Sequence, residues 1–355
     1  MTIRIKIALA LGAALALMPL VSQAQYAGSN VTGRAGLIAI DKIGNRIRFY
    51  DPATLAETKA VEPPGKAVHE LTVSYDHKTA YAPLYGDGIY GSNAEPNNKI
   101  VIIDLAKQAI ADVMDLGEFK APHGMVATKG GKLWVVCDLE HRLLLIDPVA
   151  KKIEATYDIP AKGPHFIAML PDESKLYASA KEGPLTVFDT KARMVTAQIS
   201  LARAGVTAGN GSGSEGLAPT PDGARVVVVD NDRGDLRVID ARTDKEIDRV
   251  PLVGAPFTNM KRSRLVKLMF SPDGRYLVAV GYAEGTGWVI DGRDYRKQVA
   301  FAVAKGPQGI AFAPDGKTAL VSSHDEGLIT KVDLATGKAV AAYDGGQGIE
   351  NLAYY

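Results

Sequence analysis

The chain is poor in the residues that usually announce chemistry. It has one cysteine, six histidines and two tryptophans in 355 residues. A lone Cys137 excludes an intrachain disulfide. It closes the apolar run Leu133-Trp134-Val135-Val136-Cys137 and reads as a buried small hydrophobe rather than a reactive thiol. An excess of one charge is also missing, since 41 Lys and Arg face 40 Asp and Glu for a net charge of +1. Interspersed, balanced charge argues against nucleic acid or anionic lipid as a partner. Beyond the first twenty residues no apolar run approaches the roughly 18 residues of a membrane helix, so no membrane span is expected. There is no HExxH, no CxxC and no Gly-x-Ser-x-Gly, which removes the metal and serine-hydrolase classes that carry a local motif. Asn210-Gly211-Ser212-Gly213-Ser214 is glycine-rich but lacks the strand-to-helix setting of a phosphate loop.

The first 24 residues have a different character. Arg4 and Lys6 precede an apolar run from Ile7 to Leu20, and Ser22-Gln23-Ala24 offers small residues for cleavage. That pattern predicts a secretory signal cleaved near Ala24 and a periplasmic or secreted protein, with residues 25–355 forming one domain.

What the chain does have is a repeat. Alternating strands end in aspartate at Asp51, Asp104, Asp147, Asp189, Asp240, Asp291 and Asp333, spaced 42 to 53 residues apart. A period in the forties with four short strands per unit is the signature of a β-propeller. The turn Ala313-Pro314-Asp315-Gly316 recurs as Thr220-Pro221-Asp222-Gly223 and Ser271-Pro272-Asp273-Gly274. Strand starts aligned on Gln308 fall at His69, His123, His165, Glu215, Val266, Gln308 and Glu350. The last supplies a single strand, and three N-terminal strands between Gly36 and Val61 complete its blade. The fold class is therefore all-β, a seven-bladed propeller closed by its two ends, which removes exposed sheet edges. Surplus residues at 85–98, 202–214 and 254–264 lengthen connections on the face where innermost strands begin, which marks that face for binding.

The Pro-Asp-Gly turns, the strand ends Val238-Ile239-Asp240 and Trp288-Val289-Ile290-Asp291, and the His-Glu, Pro-His-Gly and Glu-Gly strand openings resemble the YncE-like, YVTN-repeat family of exported propellers. The resemblance covers essentially all of residues 25–355 and implies the propeller. It implies little about chemistry, because related propellers include lactonases, lyases and quinoprotein dehydrogenase subunits. Arg264-Leu265-Val266-Lys267 departs from the pattern, so that blade is expected to present Arg264 or Lys267 to the axis.

Propeller geometry brings the seven aligned residues to one channel mouth. His69, His123 and His165 then lie on consecutive blades, flanked by Glu350 and Glu215. Imidazoles with carboxylates suit a single transition metal (Zn, Fe, Cu or Mn). A metal-free acid–base pocket and a merely solvated mouth are the alternatives. On the first reading the three histidines hold the metal and Glu215 or Glu350 is ligand or general base. Arg264 and Lys267 then stabilise developing negative charge. Glu70, Tyr85, Asp87, Tyr282, Gln308 and His324 complete the candidate ligand-binding set, with Glu70 orienting a histidine ring and Tyr85, Asp87 and Tyr90 forming a lid. Asp138, Glu140, His141 and Asp230 read as turn or surface residues. The expected partner is a small molecule at the mouth, or a protein on the same face. The function is a lactonase, lyase or oxidoreductase, or else a non-catalytic binding module or an accessory subunit of an exported dehydrogenase system.

Overall fold

The structure, a computed structural model, describes residues 36–88, 92–201, 213–230, 234–254, 265–282 and 285–355. The segment assigned to export lies outside them, as do Tyr90 and Arg264. Seven four-stranded antiparallel sheets are arranged as blades, and the described residues include no helix. None of the described residues forms a helix long and apolar enough to cross a membrane.

Blades 1 to 6 are each built from consecutive strands, and their innermost strands are Thr72–Val73, Pro122–Ala127, Lys162–Met169, Leu217–Pro219, Leu265–Phe270 and Pro307–Phe312. Blade 7 joins both ends of the chain. Its innermost strand, Ile349–Tyr354, pairs with Leu37–Asp41, followed by Arg46–Tyr50 and Glu57–Val61. Asp41, fully buried, fastens this closure. Its carboxylate accepts from the backbone N–H groups of Gly44, Gln347 and Gly348 and from Arg48 Nε.

Burial explains the strand sequences. Innermost and second strands have a neighbouring blade on each face and read as continuous apolar runs, such as Leu37–Asp41 and Leu133–Cys137. Outermost strands face water on one side and alternate, as Lys152–Asp158 and Met194–Ile199 do. The buried apolar side chains form seven clusters, each drawn from two adjacent blades. One joins blade 6 to blade 7 through Ala311, Leu320 and Tyr50, and another joins blade 7 to blade 1 through Phe49, Val68 and Leu84. The ring is thus held by side-chain packing all the way round.

The repeated aspartates cap the turn between third and fourth strands. Asp51, Asp147, Asp189 and Asp291 each accept two backbone N–H bonds from the turn, and Asp240 and Asp333 accept the N–H and hydroxyl of Thr243 and Thr336. Those hydrogen bonds hold Asp51, Asp104, Asp147, Asp240, Asp291 and Asp333 below the ordinary carboxylate pKa. A pKa lower in the folded than in the unfolded chain stabilises above the unfolded value of about 3.9, and the gain disappears as pH falls through the folded values. The melting temperature is therefore expected to stay level above about pH 5 and to fall progressively below about pH 4. The double variant Asp240→Asn/Asp333→Asn should show a shallower fall by calorimetry. An unchanged slope would remove these caps from the acid response.

Candidate functional site

One hydrogen-bond register places the axial residues. In every blade the residue just after the innermost strand donates its N–H to the backbone oxygen of the residue at, or one before, the start of the second strand. The pairs are Ser74 to Thr79, Thr128 to Lys132, Leu170 to Lys175, Thr220 to Arg225, Ser271 to Tyr276, Ala313 to Thr318 and Tyr355 to Gly36. Five residues before each donor stand His69, His123, His165, Glu215, Val266, Gln308 and Glu350. Six residues after each acceptor stands a second ring at the same level: Tyr85, Asp138, Lys181, Tyr282, His324 and Lys42, with the blade 4 member, Asn231, outside the described residues.

The three histidines converge. The ring centroids of His69 and His123 lie 4.4 Å apart and those of His123 and His165 lie 3.7 Å apart, all of them buried. His69 Nε2 and His123 Nε2 are separated by 2.6 Å. The other nitrogen of each ring fixes its tautomer. His123 Nδ1 is 2.9 Å from the backbone oxygen of His165, which can only accept, so Nδ1 carries the proton. His69 Nδ1 lies against a carboxylate oxygen of Glu350. Although burial opposes its ionisation, Glu350 titrates well below the usual range because His69 and Lys42 (Nζ at 3.4 Å) favour the carboxylate. It therefore accepts as well. With both rings neutral and so oriented, two lone pairs face each other across 2.6 Å; a proton on either ring turns the contact into an N–H···N hydrogen bond.

Protonation of one ring is resisted by its surroundings. Burial lowers the pKa of His69, which Glu350 only partly offsets, and depresses His123 and His165 further. The neighbouring imidazole and Lys181 push the same way on His123 and His165. Two sets of donor atoms within 4.8 Å of one another suit a cation: His69, Glu70 and His123, and His123, Asp138 and His165.

Of the two carboxylates that the alignment selects, Glu350 reaches a histidine and Glu215 is engaged by a lysine instead. Glu350 orients His69 from behind, the role that the sequence reading gave to Glu70. Glu215 is held by Lys181 at 2.7 Å and belongs to neither donor set. Glu70 takes the ligand position instead, and its Oε2 also accepts from Lys267 Nζ at 2.8 Å and Asn351 Nδ2 at 2.9 Å. Lys267 is thus engaged by a buried carboxylate and sits 4.8 Å from the Phe166 ring centroid, one residue deeper than the histidines. Asp138, read as a turn residue, is fully buried, and its Oδ2 is 3.8 Å from His165 Nδ1. Burial raises its pKa well above the carboxylate range, against the Tyr85 hydroxyl, which donates to it at 2.9 Å.

The expected lid does not form from Tyr85 and Asp87. The surplus residues extend two paired strands, Thr79–Asp87 and Glu95–Asp104. Tyr85 is buried, with its ring 5.0 Å from His69 and 5.4 Å from His123, while Asp87 is exposed beyond it. Tyr282 and His324 meet each other, with ring centroids 6.3 Å apart, where Asp325 accepts from the tyrosine hydroxyl at 2.6 Å and lies 2.9 Å from His324 Nδ1. Gln308 is half-buried in the aligned ring. Asp138 was discoverable from the sequence. It occupies the position of Tyr85, Tyr282 and His324 in the repeat, and a ring aligned on second strands would have found it.

Below the histidines the axis closes. Glu70, Lys267, Phe166, Thr72 and the glycines Gly124 and Gly216 border a cavity of about 30 Å³, and Leu71, Met125, Ile167, Leu217 and Leu268 form its apolar floor.

A family model described as outer membrane protein assembly factor BamB matches residues 85–343. Among curated proteins there is no match. Three solved structures share the fold. Hydrazine synthase of Kuenenia stuttgartiensis is 15% identical with a TM-score of 0.64, over 82% of this chain and 92% of that one. The β-propeller domain of Cps50 (Swd1) from Myceliophteria thermophila is 14% identical with a TM-score of 0.64, over 83% and 91%. A functionally unknown protein from Desulfotomaculum acetoxidans is 14% identical with a TM-score of 0.68, over 90% and 99%. Likeness at such identity establishes architecture alone.

The Glu70–Lys267 pair gives a stability test. Removing one partner strands a buried charge, so Lys267→Met should cost about 3–5 kcal/mol in urea unfolding. Glu70→Leu/Lys267→Met removes both charges and should recover most of that loss. A double variant as unstable as the single would show that the pair is not the source of the effect.

Proposed function

The chain belongs to the family described as outer membrane protein assembly factor BamB, and from that premise we propose an exported propeller whose axial histidines hold one transition metal and act on a small molecule at the channel mouth. The observation that carries this reading is the 2.6 Å approach of two ring nitrogens whose tautomers both leave a lone pair there. A cation between them turns repulsion into two coordination bonds, at the expense of opening the pair by under 1 Å to reach bond lengths of about 2.0–2.1 Å. His69 and His123 supply nitrogens and Glu70 a carboxylate oxygen, with His165 and Asp138 as the adjoining donors. Three protein ligands leave a position open, the pattern of catalytic rather than structural sites. Zn, Fe, Cu and Mn all accept imidazole with carboxylate.

A bound metal would supply Lewis-acid activation of a carbonyl, which suits lactone hydrolysis or a lyase reaction; a redox-active ion would suit an oxidoreductase. The protein's part is to fix geometry and protons. Glu350 and the His165 carbonyl lock the two tautomers, and Glu70 is braced by Lys267 and Asn351. Asp138, whose pKa burial raises and which Tyr85 holds, stands 3.8 Å from His165 Nδ1 as a candidate proton donor. Export to the periplasm is supported by residues 1–24 and by the family's description, and the YVTN-type strand openings fit the same setting. That description also favours a second reading, a non-catalytic propeller that binds other proteins through the face bearing the channel mouth.

Elemental analysis separates the two. About one equivalent of metal is expected in purified protein, lost in folded His69→Ala and His123→Ala variants. Glu350→Gln should weaken metal binding about 10–100-fold by freeing the His69 ring. Since burial lowers the imidazole pKa values, protons should compete with the metal only below the ordinary value of 6.5. Folded protein that takes up no Zn, Co or Cu overturns the metal reading in favour of protein binding.

A further inference from the structure

The buried charges around the histidines are paired. Among the described residues, Lys42 faces Glu350, Lys181 faces Glu215 and Lys267 faces Glu70. Three cations therefore cancel three anions. Asp138 adds one negative charge at most, and Glu140 is part-exposed and screened by water. A divalent cation at His69 and His123 leaves at least one positive charge without a partner inside this buried ring. Uncompensated charge in a desolvated site is costly, and the site gains most from a ligand that brings the opposite sign.

The surroundings also decide the direction of approach. The cavity beneath the histidines, about 30 Å³, has room for a water or two but not for a substrate, and apolar side chains close it below. A ligand must therefore arrive from the face where the innermost strands begin. On that side stand Lys42 and Lys181, with 16% and 17% of their side chains exposed against 9% for Lys267. Lys42 Nζ lies 5.9 Å from the centroid of the Tyr85 ring, which packs 5.4 Å from the His123 ring, centroid to centroid. Each ammonium has three donors and a single carboxylate partner, and the Lys42 contact is long at 3.4 Å.

Resting on the metal reading, we propose that the site's substrate class is a small oxyanion, a carboxylate or an inorganic oxyanion, bound with one oxygen toward the metal and another toward Lys42 or Lys181. Metal and anion then bind cooperatively, because each supplies the charge that the other requires.

Cobalt-loaded protein tests this by calorimetry and by the visible spectrum of the bound ion, with acetate, sulfate and the neutral isostere acetamide as probes. Acetate or sulfate should bind at least about 10-fold tighter to loaded than to metal-free protein, and acetamide should show no such gain. Lys181→Met, whose partner Glu215 belongs to neither donor set, should weaken the oxyanion by about 10-fold while leaving cobalt affinity within about 3-fold. Glu215→Gln, which adds one net positive charge, should act in the opposite direction and strengthen oxyanion binding. Cobalt uptake without discrimination between acetate and acetamide, or with both variants silent, overturns this proposal and leaves the metal reading standing. Failure of cobalt to bind at all overturns both.

Discussion

Ring closure is the constraint on which everything else depends. Ile349–Tyr354 forms the innermost strand of a blade whose other three strands come from the far end of the chain. Without that pairing blade 7 has no inner strand, and the apolar clusters it shares with blades 1 and 6 lose one wall. The same strand carries Glu350 to His69 and Asn351 to Glu70. Closure is thus a packing event that also assembles the axis. Asp41 joins the two functions, since its carboxylate binds the backbone just before Glu350 while its own strand leads into Lys42.

Once the ring is closed, the polar contents of the axis follow from burial. Each blade contributes a side chain to a space too small for bulk water, so each polar group must be satisfied by another. Lysines answer glutamates, the Tyr85 hydroxyl answers Asp138, and the His165 backbone carbonyl answers His123. The exceptions among the described residues around the histidines are His165 Nδ1 and Asp138 Oδ1, which have no hydrogen-bond partner, and the contact between two ring nitrogens at the centre. Burial of the imidazoles resists the proton that would settle it, which leaves a cation as the natural occupant.

The fold was legible in the sequence because the repeat is periodic and its punctuation is physical. The Pro-Asp-Gly turns mark the hairpins, and the capping aspartates mark the third strands. Even the exchange of strands between the two ends could be read from the incomplete last repeat. The histidines were legible for the same reason, since they occupy one register. The carboxylates were legible only in part: Glu350 shares the register, but the roles of Glu70 and Asp138 did not show. Alignment picks residues at one level of one strand, whereas ligand sets draw on neighbouring levels and neighbouring strands. Glu70 lies one residue deeper than the ring, and Asp138 belongs to the second-strand ring. Tyr85 sits in that same ring, and counting it as insertion hid a buried wall of the site. Lys267 turned out to be committed to Glu70, a pairing between blades 1 and 5 that no local pattern announces.

Anomalous diffraction from crystals of the zinc-loaded protein tests the central claim most directly. A single strong peak is expected about 2.0–2.1 Å from both His69 Nε2 and His123 Nε2, with the two nitrogens parted beyond their present 2.6 Å. A zinc ion bound elsewhere, with those nitrogens still in contact through a proton, would contradict that claim.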